Sequence, residues 1–164
     1  MMRVISDSGP IIALAKINRL DLLKSLFVSV AIPPMVYKEL MGKFGKEWDC
    51  IEKALKDFIQ VVDSPILNKH IKLILKDIDE GERQAIALAQ SFGSESLVLL
   101  DDKLGRQAAR KLNISLTGVV GVLVIAKEKG LATDIGSLLK EIRKNGYWLS
   151  DEILEMAKKM AGEA

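Results

Sequence analysis

The chain contains a run of four apolar residues, Leu97–Leu100, that ends abruptly at Asp101-Asp102. A continuous apolar run this short is typical of a β-strand that is covered on both faces, because an exposed face would carry polar residues at every second position. Strands of this kind occur in parallel sheets whose strands are connected by helices. The segment therefore favours an α/β fold in which helices flank a mainly parallel sheet.

Short strand-like segments alternate with helical ones along the rest of the chain. Further strands are predicted at about residues 3–6, 27–32, 58–62 and 114–116. The period of the apolar positions predicts helices at about residues 10–26, from 35 past 39, 47–56, 66–75, 79–92, 104–112, 119–128, 135–144 and 151–160. This alternation predicts a three-layer α/β/α sandwich with a mainly parallel central sheet. Because there is no internal repeat or long linker, residues 1–164 are predicted to form one domain.

Composition limits the chemistry. The chain has 24 Lys plus Arg against 22 Asp plus Glu, and its formal net charge of +2 excludes a polycationic nucleic-acid coat protein. A single cysteine, Cys50, and a single histidine, His70, cannot form a Cys/His zinc site of the finger or ribbon kind. One histidine also excludes a ribonuclease mechanism that needs a histidine pair. Any catalysis must therefore depend mainly on carboxylates, hydroxyls, Lys, Arg or hard metal ions.

The apolar segments are too short to cross a membrane. The longest run, residues 116–126, is shorter than a bilayer core requires and contains two glycines. No long apolar segment follows Arg3, so a secretory signal is not expected. We therefore expect a cytoplasmic protein with no membrane partner, and the lone Cys50 agrees with a reducing compartment.

Acidic residues follow two of the predicted strands. Asp7 comes directly after the first strand, and Asp101 directly after the run at 97–100. Ligands of open α/β sheets bind beyond the carboxyl ends of the strands, and Glu39 and Glu82 are placed to reach the same edge. Four carboxylates in one cleft would repel one another unless a multivalent cation neutralised them. Hard cations such as Mg²⁺ and Mn²⁺ prefer oxygen ligands and often bridge to substrate phosphates, so this edge is a candidate Mg²⁺ or Mn²⁺ site.

Each acid also has a structural explanation when taken alone. Asp7 is in a position to cap the following helix, since Asp is a favoured cap residue. Glu39 has ordinary helical partners in neighbouring lysines, and Asp102 is placed to pair with Arg106 four residues later. Trp148, like Trp48, is expected to be a packing anchor. No single acid decides between structure and function.

Four segments together match a family pattern. They are Val4–Pro10 with Asp7, Ile32–Leu40 with Glu39, Asp79–Ala89 with Glu82, and Leu97–Asp102 with Asp101. In this order and at these spacings they resemble the PIN domain, a nuclease fold found in VapC-like toxins of toxin–antitoxin pairs and in RNA-processing endonucleases. The chain departs from many PIN toxins in having Glu82 where they have Asp, and Leu99 where they have Thr or Ser.

The resemblance implies a metal-dependent endoribonuclease that hydrolyses RNA phosphodiesters with a Mg²⁺- or Mn²⁺-activated water and leaves a 3′-hydroxyl and a 5′-phosphate. In that assignment Asp7, Glu39, Glu82 and Asp101 are catalytic and bind metal, with Asp102 as an accessory ligand. Ser8 orients a ligand or a phosphate unless it only caps its helix. Arg106 and Arg110 hold the RNA backbone unless they only form a solvated helix face.

The resemblance also implies partners: single-stranded or structured RNA, an antitoxin protein and a second copy of the chain in a homodimer. Two alternatives remain open. One is a PIN-like module that binds RNA or protein with little catalysis, and the other is an RNA-processing nuclease outside any toxin–antitoxin pair. A Mg²⁺-dependent phosphatase is less consistent with the sequence, because the segment after Asp7 lacks the second acid of a D-x-D motif.

Overall fold

The structure is a computed structural model and describes residues 2–163. Its described residues form one five-stranded sheet in which every strand pair is parallel, in the order β3-β2-β1-β4-β5. The strands are β1 Arg3–Ser6, β2 Val30–Ile32, β3 Ile59–Val61, β4 Ser96–Leu99 and β5 Ser115–Thr117.

Helices connect the strands and cover both faces of the sheet. They are α1 Ser8–Lys16, α2 Asp21–Phe27, α3 Pro34–Met41, α4 Gly45–Leu55, α5 Lys69–Ile74, α6 Glu80–Phe92, α7 Lys103–Lys111, α8 Val119–Glu128, α9 Ile135–Lys144 and α10 Asp151–Met160. The α/β sandwich predicted from the alternation of segments is confirmed. No helix within residues 2–163 combines the length and the hydropathy needed to cross a membrane.

Alternate side chains of β1 and β4 pack into two hydrophobic cores, one on each face of the sheet. Val4 and Leu99 belong to the core under α1–α4 and α8–α10, whereas Ile5 and Val98 belong to the core under α5–α7. These four side chains are between 0% and 4% exposed. The central strands are thus buried on both faces, which explains why the run at 97–100 carries no polar residue.

Three of the predicted boundaries are wrong. The helix predicted over 66–75 begins only at Lys69, after Asn68 caps it by accepting from the N–H of Ile71. The helix predicted over 10–26 is interrupted, because Asn18 takes a positive φ of 54° between α1 and α2. The strand predicted over 27–32 begins only at Val30, because Phe27 ends α2 and Val28 turns the chain with a φ of 69°. An extended strand cannot pass through a residue in that conformation.

The order of the strands positions the candidate site. β1 pairs with β2 on one side and with β4 on the other, so the sheet is extended in opposite directions from β1. Such a switch point leaves a crevice beyond the carboxyl ends of the two strands that flank it. Asp7 follows β1, and Leu100 separates β4 from Asp101, so both acids lie at this crevice.

Candidate functional site

Asp7 occupies the N-cap position of α1 and is only 8% exposed, yet its side chain makes no capping hydrogen bond. Capping therefore does not explain this residue. The backbone N–H of Asp7 donates to the carbonyl of Leu99 at 3.0 Å, which ties the end of β1 to β4. The carboxylate is thus held at the crevice by the sheet itself.

Glu39 lies half-buried on α3 and meets Asp7 beside Gly81. Its Oε2 accepts a hydrogen bond from Ser8 Oγ at 2.9 Å. A Cβ on Gly81 would clash with Oε1 of Glu39, and it would stand 3.5 Å from Oδ1 of Asp7. The absence of a side chain at Gly81 therefore leaves the space in which these two carboxylates lie.

Glu82 is the third residue of α6 and is only 5% exposed. Its Oε2 is buried and has no hydrogen-bond partner among residues 2–163. A Cβ on Gly105 would stand 2.9 Å from this oxygen, so a second glycine makes room for an acid. Asp79 caps the helix by accepting from the N–H of Glu82 at 2.9 Å, which fixes where α6 begins. The result is a buried carboxylate oxygen that lacks a counter-group.

Asp101 is held at both oxygens. Oδ1 accepts from the backbone N–H of Val119, the first residue of α8, at 2.9 Å, and Oδ2 accepts from the Tyr147 hydroxyl at 2.6 Å. Sequence reasoning did not find Tyr147, because 46 residues separate it from Asp101 and no local motif marks it. Only the tertiary fold brings this hydroxyl to the acid.

Burial raises the pKa of Asp7 from 3.8 to about 7. The carboxylates of Asp79, Glu39 and Asp101 add to this effect, while the backbone N–H of Ser8 opposes it. Each neighbouring negative charge disfavours ionisation of Asp7. Asp7 is therefore the centre of a group of mutually repelling acids.

Burial likewise raises the pKa of Glu82, from 4.5 to about 8. The next contributions come from the negative charges of Asp79, Asp102 and Asp7. Because the charge of Asp7 reaches Glu82, the acid that follows β1 and the acid on α6 lie in the same cluster. We call Asp7, Glu39, Glu82 and Asp101 the acidic cluster.

The other two members also have raised pKa values. For Glu39 the main cause is burial, which the hydrogen bond from Ser8 partly offsets. For Asp101 the main cause is again burial, offset by the bonds from Tyr147 and Val119. All four acids of the cluster are thus harder to ionise in the folded chain than in water.

Asp102 does not pair with Arg106, contrary to the expectation from their spacing. Its Oδ2 caps α7 by accepting from the N–H of Gly105 at 3.0 Å. Arg106 Nη1 instead donates to the carbonyl of Leu100 at 2.9 Å, and its charge partly offsets the rise in the pKa of Asp101 that burial causes. Burial lowers the pKa of Arg106, and the charge of Arg110, which lies exposed further along α7, lowers it further.

One sequence expectation about an aromatic residue is also wrong. Trp148 was expected to anchor packing, but it is 81% exposed. Trp48 is partly buried against the core that contains Val4. The two tryptophans therefore differ, although composition alone gave no reason to separate them.

Two observations bear on whether the acidic cluster suits a metal ion. Within the described residues, no three or more His, Cys, Asp or Glu side chains form a group that could hold a metal ion as they stand. The donor chemistry nevertheless fits a hard divalent cation, because all four side chains are carboxylates and Oε2 of Glu82 is buried with no partner among residues 2–163. Closing a coordination shell would require side chains of the cluster to move, while the bonds of Glu39 to Ser8 and of Asp101 to Tyr147 orient these two carboxylates.

Comparison with known proteins agrees with this geometry. A model of the PIN-domain family matches residues 3–163, which is nearly the full length of the chain. Among curated proteins, none matches the chain. The family match spans all the segments that carry the acidic cluster.

Proposed function

The chain belongs to the PIN-domain family, whose members are generally nucleases that act on RNA with divalent metal ions, and we propose that it is a metal-dependent endoribonuclease. The observation that supports this most directly is the acidic cluster at the switch point of the sheet. Four carboxylates with raised pKa values and a buried, unpartnered oxygen of Glu82 are costly to a fold unless a cation uses them.

In this proposal Asp7 and Asp101 are the principal metal ligands. Glu39 and Glu82 bind directly or through water, and Asp102 is an accessory acid that also caps α7. A bound Mg²⁺ or Mn²⁺ lowers the pKa of a coordinated water and stabilises negative charge on a phosphate. The products are a 5′-phosphate and a 3′-hydroxyl.

The remaining residues of the site act by holding the ligands and the substrate. Ser8 orients Glu39 through its 2.9 Å hydrogen bond, and Tyr147 orients Asp101 through its 2.6 Å bond. Arg106 and Arg110 lie on α7, directly after the strand that leads to Asp101, and hold the RNA backbone by charge.

Cleavage of RNA tests the proposal. Purified protein is incubated with a labelled single-stranded RNA and with DNA of the same sequence, in Mn²⁺ and in EDTA. We expect cleavage of RNA in Mn²⁺ only, and loss of cleavage in Asp7→Asn and Asp101→Asn. Asp49→Asn is a matched control, because it removes an exposed acid of α4. Equal activity in EDTA, or undiminished activity in Asp7→Asn, contradicts the proposal.

The finer assignment is the toxin of a toxin–antitoxin pair, acting as a homodimer and inhibited by an antitoxin protein. Induced expression in a bacterial host tests it. We expect growth arrest with the wild-type chain, none with Asp7→Asn, and relief on co-expression of a small protein encoded beside it. Normal growth with an active enzyme favours an RNA-processing nuclease instead.

A second candidate function is a module that binds RNA or protein with little catalysis. It is favoured by the observation that, among residues 2–163, no group of three acidic, histidine or cysteine side chains stands ready to hold a metal ion. A filter-binding assay beside the cleavage experiment distinguishes this module from the nuclease. Such a module retains RNA on the filter but does not cut it in Mn²⁺.

A further inference from the structure

A cavity of about 380 Å³ opens between α5, α6 and the segment that follows β3. This volume is within the range of pockets that bind small ligands. We call it the α5–α6 cavity. Its wall combines apolar and cationic side chains: Ile66, Leu67, Ala87, Lys72, Lys76 and Arg83.

The cavity has an excess of positive charge. Among the residues that the structure describes, Glu80 is the one acid in the wall, and its Oε2 accepts from Arg83 Nη2 at 2.9 Å. Lys72 on α5 and Lys76 in the turn that follows α5 are both exposed. Glu80 is paired with Arg83, so Lys72 and Lys76 leave the wall with an excess of positive charge. This excess favours an anionic ligand.

Arg83 lines the cavity, and its side chain is 38% exposed. Nε of Arg83 is buried and has no hydrogen-bond partner among residues 2–163. A ligand in the cavity therefore reaches the terminal nitrogens of the guanidinium and not Nε. Arginine suits phosphate oxygens in particular, because its guanidinium presents several N–H groups in one plane.

Apolar side chains beside the cations indicate a ligand that has an apolar part as well as a negative charge. Ile66 is 95% exposed, and Leu67 and Ala87 extend the apolar part of the wall. A free phosphate would use only the charged half of this wall. A nucleotide uses both, since its phosphate meets cations while its base covers apolar surface.

One hydrogen bond connects the cavity to the helix that carries Glu39. Gln84, which lines the cavity, accepts from the N–H of Met35 on α3, the helix of Glu39, at 2.9 Å. Ser64, also in the wall, donates to the carbonyl of Gln84 at 3.2 Å. Ser64 follows β3, so the cavity lies at the same carboxyl edge of the sheet as the acidic cluster.

We propose that the α5–α6 cavity binds one nucleotide of a single-stranded RNA whose scissile phosphate lies at the acidic cluster. Lys72, Lys76 and Arg83 contact the phosphate of that nucleotide, and Ile66 packs against its base. This inference rests on the proposed endoribonuclease function and deepens it, because it defines a path for the substrate along one edge of the sheet.

The test is binding of a short fluorescein-labelled single-stranded RNA, followed by anisotropy in EDTA at several salt concentrations. We expect Lys72→Ala/Lys76→Ala to weaken binding about tenfold and to reduce the salt dependence by about 0.7 per lost phosphate contact. Ile66→Ala should weaken binding without changing the salt dependence. The matched control is Lys129→Ala/Lys159→Ala, which removes the same charge from exposed positions near the ends of α8 and α10.

The outcomes separate this inference from the proposed function. If the Lys72/Lys76 double variant binds RNA as tightly as the control, the subsite is overturned, and the cavity is then better suited to an acidic protein segment. If RNA binding depends on the two lysines but the wild-type chain cuts no RNA in Mn²⁺, the subsite stands and the nuclease function fails. If the wild type cuts RNA, the double variant should raise KM more than it lowers kcat, and an unchanged KM contradicts the subsite.

Discussion

At the scale of single residues, Asp7 and Asp102 belong to one acidic region but have opposite structural roles. Asp7 is buried at an N-cap position and forms no capping bond. Asp102 is exposed and caps α7 through the N–H of Gly105. The first residue should therefore destabilise the metal-free fold, whereas the second should stabilise it.

Asp7→Asn should raise the free energy of unfolding in EDTA by about 1 kcal/mol, because it removes a buried charge that neighbouring carboxylates repel. Asp102→Ala should lower it by about 1 kcal/mol, because it removes a helix cap. Urea unfolding of the two variants and the wild type measures both values. A loss of stability in Asp7→Asn would mean that the carboxylate has a structural role.

Tyr147→Phe removes the hydroxyl that donates to Oδ2 of Asp101 but keeps the aromatic ring. The hydrogen bond holds the pKa of Asp101 down against burial, so its loss should raise that pKa further. We expect Mn²⁺ affinity to fall about fivefold, the equivalent of one hydrogen bond. Titration calorimetry with Mn²⁺ measures this change. Tyr37→Phe, at another partly buried tyrosine, is the control, and equal affinities in the two variants would exclude a positioning role for Tyr147.

At the scale of elements, α6 carries both the third acid and the glycine that makes room for the others. Gly81 and Gly136 are each the second residue of a helix, α6 and α9 respectively. A Cβ on Gly81 would displace Oε1 of Glu39, whereas one on Gly136 would meet the flexible end of Lys158, with Cε at 3.0 Å. The two positions therefore form a matched pair for substitution.

Gly81→Ala should leave the helix intact, since alanine favours helix more than glycine does, but it should move the Glu39 carboxylate away from Asp7. We expect Mn²⁺ to stabilise Gly81→Ala much less than the wild type, and Gly136→Ala as much as the wild type. Thermal melts with and without Mn²⁺ compare the metal-induced rise in Tm. An equal rise in both variants would show that Glu39 does not need this space.

The elements also explain what the sequence could and could not predict. The apolar periodicity predicts α8, α9 and α10 with the bounds that the structure has. The start of β2 was missed, because the positive φ of Val28 leaves no compositional signal. The bond from Tyr147 to Asp101 was missed for a different reason: it depends on how α9 packs, not on any local pattern.

At the scale of the whole molecule, the strand order brings the negative charges of the acidic cluster to one crevice at the carboxyl edge of the sheet. β1 and β4 lie side by side between the two hydrophobic cores, and their carboxyl ends deliver Asp7 and Asp101 to one crevice. α3 and α6 add Glu39 and Glu82 from the two opposite faces. Burial of the two cores stabilises the fold, and repulsion among the four carboxylates destabilises it. We therefore expect the repulsion to lower the free energy of unfolding of the chain.

The pH dependence of stability follows from this arrangement. Folding raises the pKa of Asp7 from 3.8 to about 7 and that of Glu82 from 4.5 to about 8. At a pH between the unfolded and the folded pKa of each group, the folded chain keeps a proton that the unfolded chain has released. Unfolding therefore releases protons, and the free energy of unfolding falls as the pH rises. In EDTA, Tm should be higher at about pH 5 than at about pH 8.

Mn²⁺ should reverse this trend, because carboxylates bind a cation only after they lose their protons. We expect Mn²⁺ to raise Tm more at about pH 8 than at about pH 5, where protons already neutralise the cluster. Asp7→Asn should show a flatter pH profile in EDTA and a smaller response to Mn²⁺, whereas Asp49→Asn should behave as the wild type. A metal-free Tm that stays constant or increases from pH 5 to pH 8 would mean that Asp7 and Glu82 ionise as easily in the folded chain as in the unfolded one. The electrostatic argument for a cation at this crevice would then be contradicted.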